Sequence, residues 1–224
     1  MKTTAIPVLA AVLLAPTMEG QAAETTDPEM REVVAGPQYE AGGTKMRWLG
    51  KGYRDVWTTP VRLPVLDLQT VAGGLTPVRQ VGGYQTPGLA MKGADGRAYT
   101  FRNLIKHPER ILPKEWHDTV VADLFQDQMS AGHPGVAPIF SHIARSVGII
   151  YEESRLAIMP DDPVLGQWRE TFANQVGTFD SYPLPGVDGI TEIVGSQEFY
   201  LKWLESPQNR VDSRQVLKAR LLDL

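Results

Sequence analysis

Cysteine is missing from all 224 residues. That absence excludes disulfides, thiolate zinc sites, a cysteine nucleophile and a lipidated N-terminal cysteine. Positive charge is scarce as well: 22 Lys and Arg stand against 26 Asp and Glu, for a net charge of -4. With a pI near 5.6, the composition argues against the broad basic surface that nucleic acid requires. A spanning helix needs about 20 apolar residues. Nothing reaches that length, so no transmembrane helix is expected in the mature chain. No HExxH, GxSxG or GxxxxGK(S/T) pattern occurs, which removes the common signatures of zinc peptidases, serine hydrolases and P-loop sites. His107, His117, His133 and His142 are the only histidines. None lies four residues from another, and no metal site is expected.

What is present is globular in composition, with 42% apolar and 21% charged residues, so wholesale disorder is excluded. The N-terminus reads as an address. Met1-Lys2 is a short positive start, Ile6 to Ala15 is apolar apart from Pro7, and Gly20-Gln21-Ala22 sets small residues at the -3 and -1 positions of a cleavage site. These are the three parts of a secretory signal peptide, spanning 1–22. The expected location is therefore outside the cytoplasm, in the periplasm or at the outer membrane or cell surface. Residues 23–36 lack apolar periodicity and read as a flexible leader.

Residues 39–57 mix Gly42, Gly43, Gly50 and Gly52 with Trp48, Tyr53 and Trp57 and read as mostly irregular, with a short helical turn. Val65 to Leu68 is a short strand candidate. Residues 75–105 alternate in β fashion, punctuated by Gly82-Gly83 and by Ala94-Asp95-Gly96, which predicts a three-strand antiparallel meander. Trp116, Val120, Leu124 and Phe125 recur at helical spacing, predicting one helix over 113–131. A second helix is expected from Ile139 to Val147, then two strands, 149–151 and 156–159, around a Glu-Glu-Ser turn. Pro160-Asp161-Asp162-Pro163 breaks the chain. Val164, Leu165, Trp168 and Phe172 mark a further amphipathic helix, and 177–190 reads as a Gly/Pro loop. Ser196 caps a helix through about Glu205, and Asp212 with Gln215 forms a capping box for the last one. Leu217, Leu221 and Leu224 make an apolar stripe, and Asp223 sits where the helix dipole disfavours an anion; this uncapped finish reads as a fold cut part-way. The expected class is α+β, a small antiparallel sheet with packed helices. The expected divisions are a sheet-bearing region over 37–163 and the helical start of a second lobe over 164–224.

One order of parts carries chemistry. A glycine turn between strands, Gly82-Gly83, lets backbone amides approach a phosphate. The next strand region carries the cations Arg102 and Lys106, and the following helix carries a carboxylate, Asp123 or Asp127. Strands and a hinge-like turn come after. This is the order of a protein-kinase small lobe. It is also the order of a meander with ordinary turns and a packed helix, the simpler reading of the pattern because glycine turns are common.

Several stretches resemble an exported bacterial family. They are Gly73-Gly74-Leu75-Thr76-Pro77-Val78, Lys92-Gly93-Ala94-Asp95-Gly96 leading to Phe101-Arg102, the segment around Gln126-Asp127-Gln128, and Met159-Pro160-Asp161-Asp162-Pro163. Arg210-Val211-Asp212 and Ala219-Arg220-Leu221 extend the likeness over about residues 33–224. The family is a region of secreted Gram-negative proteins associated with BamA-type outer-membrane barrels or metallophosphoesterases, similar downstream to the kinase-like CotH and HipA proteins. The resemblance implies a nucleotide-cradling lobe that takes ATP with magnesium. Gly82, Gly83, Arg102 and Lys106 would lie at the phosphates, with Asp127 as the acid that orients the cation. It also implies a catalytic loop after Leu221-Leu222-Asp223, which this chain does not contain. Catalytic residues are therefore unassigned, and no phosphotransfer is expected from the chain alone. The other reading is a non-catalytic interaction module associated with an outer-membrane protein.

Cleavage after Ala22 leaves Ala23 as the mature start. N-terminal sequencing of protein recovered from the periplasm should read from Ala23; a cytoplasmic chain still beginning at Met1 would refute export.

Overall fold

The computed structural model describes residues 27–82, 85–182, 194 and 196–222. The signal peptide, the first residues of the leader, Gly83, Asp223 and Leu224 lie outside them. No helix among the described residues is long and apolar enough to cross a membrane.

The fold is α+β and is built on a five-stranded antiparallel sheet. Strands β3 (Leu75–Val81), β4 (Gly88–Gly93) and β5 (Ala98–Asn103) form the expected meander. Two later strands complete the sheet: β6 (Glu153–Ile158) and β7 (Val176–Ser181), in the order β3-β4-β5-β7-β6. Alternation sorts side chains between the two faces. Leu89, Met91, Tyr99, Phe101 and Phe179 share the apolar face, where they pack with Leu66, Leu68, Leu165 and Phe172. Tyr99 stacks on Phe179 at 5.2 Å, and Phe101 meets Phe172 edge-on at 6.4 Å. Each such buried side chain contributes roughly 1.5–3 kcal/mol.

The second half of the sheet differs from expectation. Residues 149–151 are not a strand; β6 begins at Glu153, inside the supposed Glu-Glu-Ser turn. Its partner β7 lies partly in the segment read as a loop. The Pro160–Pro163 turn therefore joins two strands instead of following the last one, and the boundary expected after residue 163 falls inside the sheet. The helix expected over 164–172 is interrupted at Gly166, whose φ of 52° breaks it into a 3-10 turn, Pro163–Trp168, and the single-turn α5 (Arg169–Phe172).

Between β5 and β6 the chain crosses over through helices. The long helix expected over 113–131 is instead a 3-10 turn at Lys114–Trp116, then α3 (Val120–Gln128), then a 3-10 turn at Met129–Ala131. Thr119 causes the break. Its backbone is extended, and its hydroxyl donates back to the Trp116 carbonyl at 2.8 Å, a local bond that competes with helix. Helix α4 (Val136–Ser146) follows, and Gly148 (φ 67°) turns the chain after it.

N-terminal to the sheet, Met30–Val34 forms β1, paired antiparallel with β2 (Pro60–Pro64). Part of the expected leader is thus a strand, and the Val65–Leu68 strand is displaced to residues 60–64. The two prolines are tolerated because they stand at the ends of a two-stranded ribbon. Leu63 and Val65 pack on Ile158 of β6. Between these strands lie α1 (Gly43–Leu49) and α2 (Arg54–Thr58). Trp57 and Tyr39 pack edge-on at 5.0 Å over Leu104, Ile105 and Met129.

A buried ion pair fastens this segment to α3. The Arg54 guanidinium grips Asp127 with both ends, Nη1 to Oδ1 at 2.8 Å and Nη2 to Oδ2 at 2.6 Å. Lys45 Nζ adds a third contact at 2.6 Å. Helices α6 (Ser196–Leu204) and α7 (Ser213–Leu222) close the described chain. Asp212 accepts from the amides of Arg214 and Gln215 at 3.0 and 3.1 Å, which is one half of the expected capping box; the Gln215 side-chain oxygen is buried without a partner among the described residues.

Arg54→Ala is expected to cost about 3 kcal/mol, because a buried carboxylate loses its main partner. The double variant Arg54→Ala/Asp127→Ala should cost less than the two single losses added together. Bidentate donation from Arg54 is the first cause holding the Asp127 carboxyl below its usual range, aided by Lys45 and opposed by burial. The pair's contribution is therefore full above the unfolded carboxylate value of about 3.9. It is lost as pH falls through the lower folded value. Urea unfolding of the three variants, repeated at acid pH, measures both effects.

Candidate functional site

The face of the sheet opposite the aromatic core is polar. The β5–β7 register sets Thr100 against Asp180 and Arg102 against Thr178, and the β6–β7 register sets Ser154 against Asp180. All five side chains belong to one face. Asp180 is buried. Ser154 Oγ donates to its Oδ1 at 2.6 Å, Thr178 Oγ1 donates to Oδ2 at 3.2 Å, and Arg102 Nε stands 3.8 Å from Oδ2. The half-exposed Arg102 also reaches the Tyr182 hydroxyl at 3.5 Å. Helix α4 braces the edge: Ser141 Oγ donates to the Glu152 carbonyl at 3.0 Å and accepts from the Ser154 amide at 3.3 Å.

Burial raises the Asp180 carboxyl above its ordinary value; the hydrogen bonds from Ser154 and Thr178 and the charge of Arg102 offset this in part. Glu152 is raised as well, first by desolvation of its carboxyl among neighbouring atoms and then by the Asp180 charge, with Arg102 opposing. The Glu152 residue as a whole keeps open surface, so crowding acts on its head group. Two carboxyls with raised proton affinity flank one guanidinium, the kind of cluster that accepts and donates protons or seats a cation-bearing ligand.

The residues expected at a phosphate site divide. Gly82 turns the chain with φ 72°, and a Cβ there would stand 2.5 Å from the Thr86 carbonyl oxygen, so the turn demands glycine. Residues 85–87 lie along 103–107: the Asn103 amide donates to Pro87 O at 3.2 Å and the His107 amide to Gln85 O at 2.7 Å. That turn, Arg102 and the exposed Lys106 thus meet at one edge, with Gly83 outside the described residues. Asp127 does not join them. Its two oxygens are taken by Arg54 and Lys45, and the acid beside Arg102 is Asp180. The reason is topological, since α3 packs toward the N-terminal segment and leaves the polar face to β7. Reading residues 177–190 as a loop hid Asp180, Thr178 and Tyr182. The signal that could have revealed them is the alternation of Gly177 and Phe179 with Thr178 and Asp180. Among the described residues no group of three or more His, Asp or Glu is placed to hold a metal.

No family model matches the chain, and no curated protein or solved structure matches it. The resemblance to the exported kinase-like family rests on its sequence motifs alone.

The raised Asp180 value means that this carboxyl favours the fold fully only below the unfolded value. That support is lost as pH rises through the folded value. Asp180→Asn should therefore cost no stability at neutral pH and should flatten the decline in stability from pH 4 toward neutrality. Denaturant midpoints across that range check it; a large loss at pH 7 would show that the ionised carboxylate is a net support.

Proposed function

We propose that the polar sheet face around Arg102 is the nucleotide-cradling surface of an exported kinase-like phosphotransferase. The observation that carries this reading is the junction of the Gly82 turn, the third strand of the sheet with Arg102, and the segment holding Lys106. The order of parts supports it: three meandering strands, a helical crossover, two more strands and then helices. In this reading ATP with magnesium lies over the face. Arg102 and Lys106 supply charge to the phosphates, and the Asp180 carboxylate offers a hard oxygen of the type magnesium accepts. Asp127 is left out of the cradle and acts as a fastener instead. A guanidinium binds phosphate in bidentate fashion, although it is not the ammonium that kinases use in this place.

A second reading is favoured by a separate observation. Phe199, Tyr200, Leu201 and Leu204 on α6, with Leu217 and Leu221 on α7, are all exposed. Apolar surface on this scale marks an interaction site and suits a non-catalytic module that docks on an outer-membrane protein.

Equilibrium dialysis of ATP and magnesium against the purified protein separates the two. The cradle reading expects saturable binding that Arg102→Ala weakens about tenfold, the scale of one charge-assisted contact. Absence of binding, or binding indifferent to Arg102→Ala, would reject the cradle and leave the interaction module.

A further inference from the structure

A cavity of about 380 Å³ opens on the other side of β6 and β7, between α4 and the turn that joins β4 to β5. Three arginines from three separate elements line it: Arg97 from the turn, Arg145 from α4 and Arg155 from β6. Glu153 is the one carboxylate in the lining, so the arginines outnumber it in a protein whose net charge is -4. The register sets its arginines apart from the first cluster, although Ser141 and Ser154 of that cluster also line the cavity. Ser154 faces Asp180, whereas Arg155, one residue on, pairs with Phe179 on the opposite face.

The arginines are also chemically available. The Arg155 guanidinium lies over the Phe179 ring, 5.1 Å from its centroid, and that ring is itself stacked on Tyr99. Stacking fixes the plane of a guanidinium while leaving its N–H donors, which point outward in that plane, free for a ligand. Among the described residues neither Arg145 nor Arg155 makes an ion pair, and Arg97 has only a distant one, 4.0 Å to Asp95. Guanidinium groups lining one cavity repel one another, and an anion between them removes that repulsion. The cavity volume is of the size that small ligands occupy.

We propose that Arg97, Arg145 and Arg155 form a binding site for a phosphorylated small molecule, with the phosphate held between the guanidinium groups. Arginine forks match phosphate oxygens in bidentate fashion. The Tyr99 and Phe179 rings in the lining give the remainder of the ligand an apolar wall. Its arginines are not those of the proposed nucleotide cradle, so the site stands if that reading fails.

Isothermal titration of the purified protein with inorganic pyrophosphate tests it. Saturable binding is expected, and Arg145→Ala and Arg155→Ala should each weaken it about tenfold, the effect of one lost charge-assisted contact. Both side chains are exposed, so unchanged thermal unfolding of the variants will show that folding is intact. Pyrophosphate taken by the Arg102 cradle would be a separate component, so the binding that Arg145→Ala and Arg155→Ala weaken should persist in an Arg102→Ala background. Loss of binding in Arg102→Ala with retention in the other two would move the phosphate to the opposite face and overturn the assignment, as would no binding at all. Sedimentation with phosphatidic acid vesicles forms the second arm. Binding to vesicles without any response to pyrophosphate would assign the phosphate to a lipid headgroup and overturn the small-molecule site.

Discussion

The grip of Arg54 on Asp127 is the constraint on which the N-terminal third of the described chain depends. The segment from Ala35 to Thr59 has a small apolar cluster of its own, Ala35, Tyr39 and Trp57, too few residues to hold it by hydrophobic burial alone. Arg54 spends its donors inward. Besides Asp127 it donates to the carbonyls of Gly50 and Tyr39, at 3.2 and 3.3 Å. One guanidinium therefore closes the loop between α1 and α2, anchors the turn at Tyr39 and holds α3. Lysine could not do this, because a single ammonium lacks the planar fork. Two further bonds support the same junction: the Trp57 indole donates to Gly132 O at 2.8 Å, and the Tyr53 amide donates to Ser130 O at 2.8 Å. The cost of burying both charges is met by this completeness of hydrogen bonding.

That fastening has a consequence for the polar face. With α3 held by the N-terminal segment, its acid is not free to reach the sheet. The place beside Arg102 is filled from β7, and α4 alone of the crossover helices braces the far edge through Ser141. The division of labour is physical. Asp127, fully paired, is held well into its ionised range, whereas Asp180, buried with only hydroxyls and a more distant guanidinium, is pushed the other way. A carboxylate locked in one protonation state fastens elements together. One whose state responds to its surroundings is suited to a site.

Local chemistry made the meander legible in the sequence. Asp95-Gly96 turns where Gly96 takes φ 85°, and alternation over Tyr99 to Arg102 gave the strand that follows. Helix α4 and the cap of α7 were legible for the same reason, since their signals lie within a few residues. Three features were not. Thr119 broke α3 through a hydroxyl bond that helical periodicity does not register. Strand β7 carries only one large apolar side chain, Phe179, between Gly177 and Ser181, so its pattern reads as a turn; it is a strand because β5 and β6 flank it on both sides. The Arg54–Asp127 pair spans 73 residues, and no spacing rule connects such distant positions. Within the candidate site, the glycine turn, Arg102 and Lys106 were legible as parts, but their acid was assigned to the nearer helix when the fold supplies it from a strand 78 residues after Arg102.

Strand β7 is consequently the element that joins the two faces. Hydrogen-bonded to β5 on one side and β6 on the other, it is fixed at both edges and cannot slip by one residue without reversing every side chain it carries. Its even positions, Thr178 and Asp180, build the polar cluster with Arg102 and Ser154. Its odd position, Phe179, floors the arginine-lined cavity and stacks on Tyr99. The two sites therefore share one rigid strand, back to back, with adjacent residues serving opposite sides. A ligand that draws Arg155 away from the Phe179 ring would act on the same β6 strand whose Ser154 hydroxyl holds Asp180. Ser154 also lines the cavity, so a displacement of β6 there reaches the hydrogen bond to Asp180 directly. The architecture thus places two sites on one strand pair, with Ser154 as a residue they share.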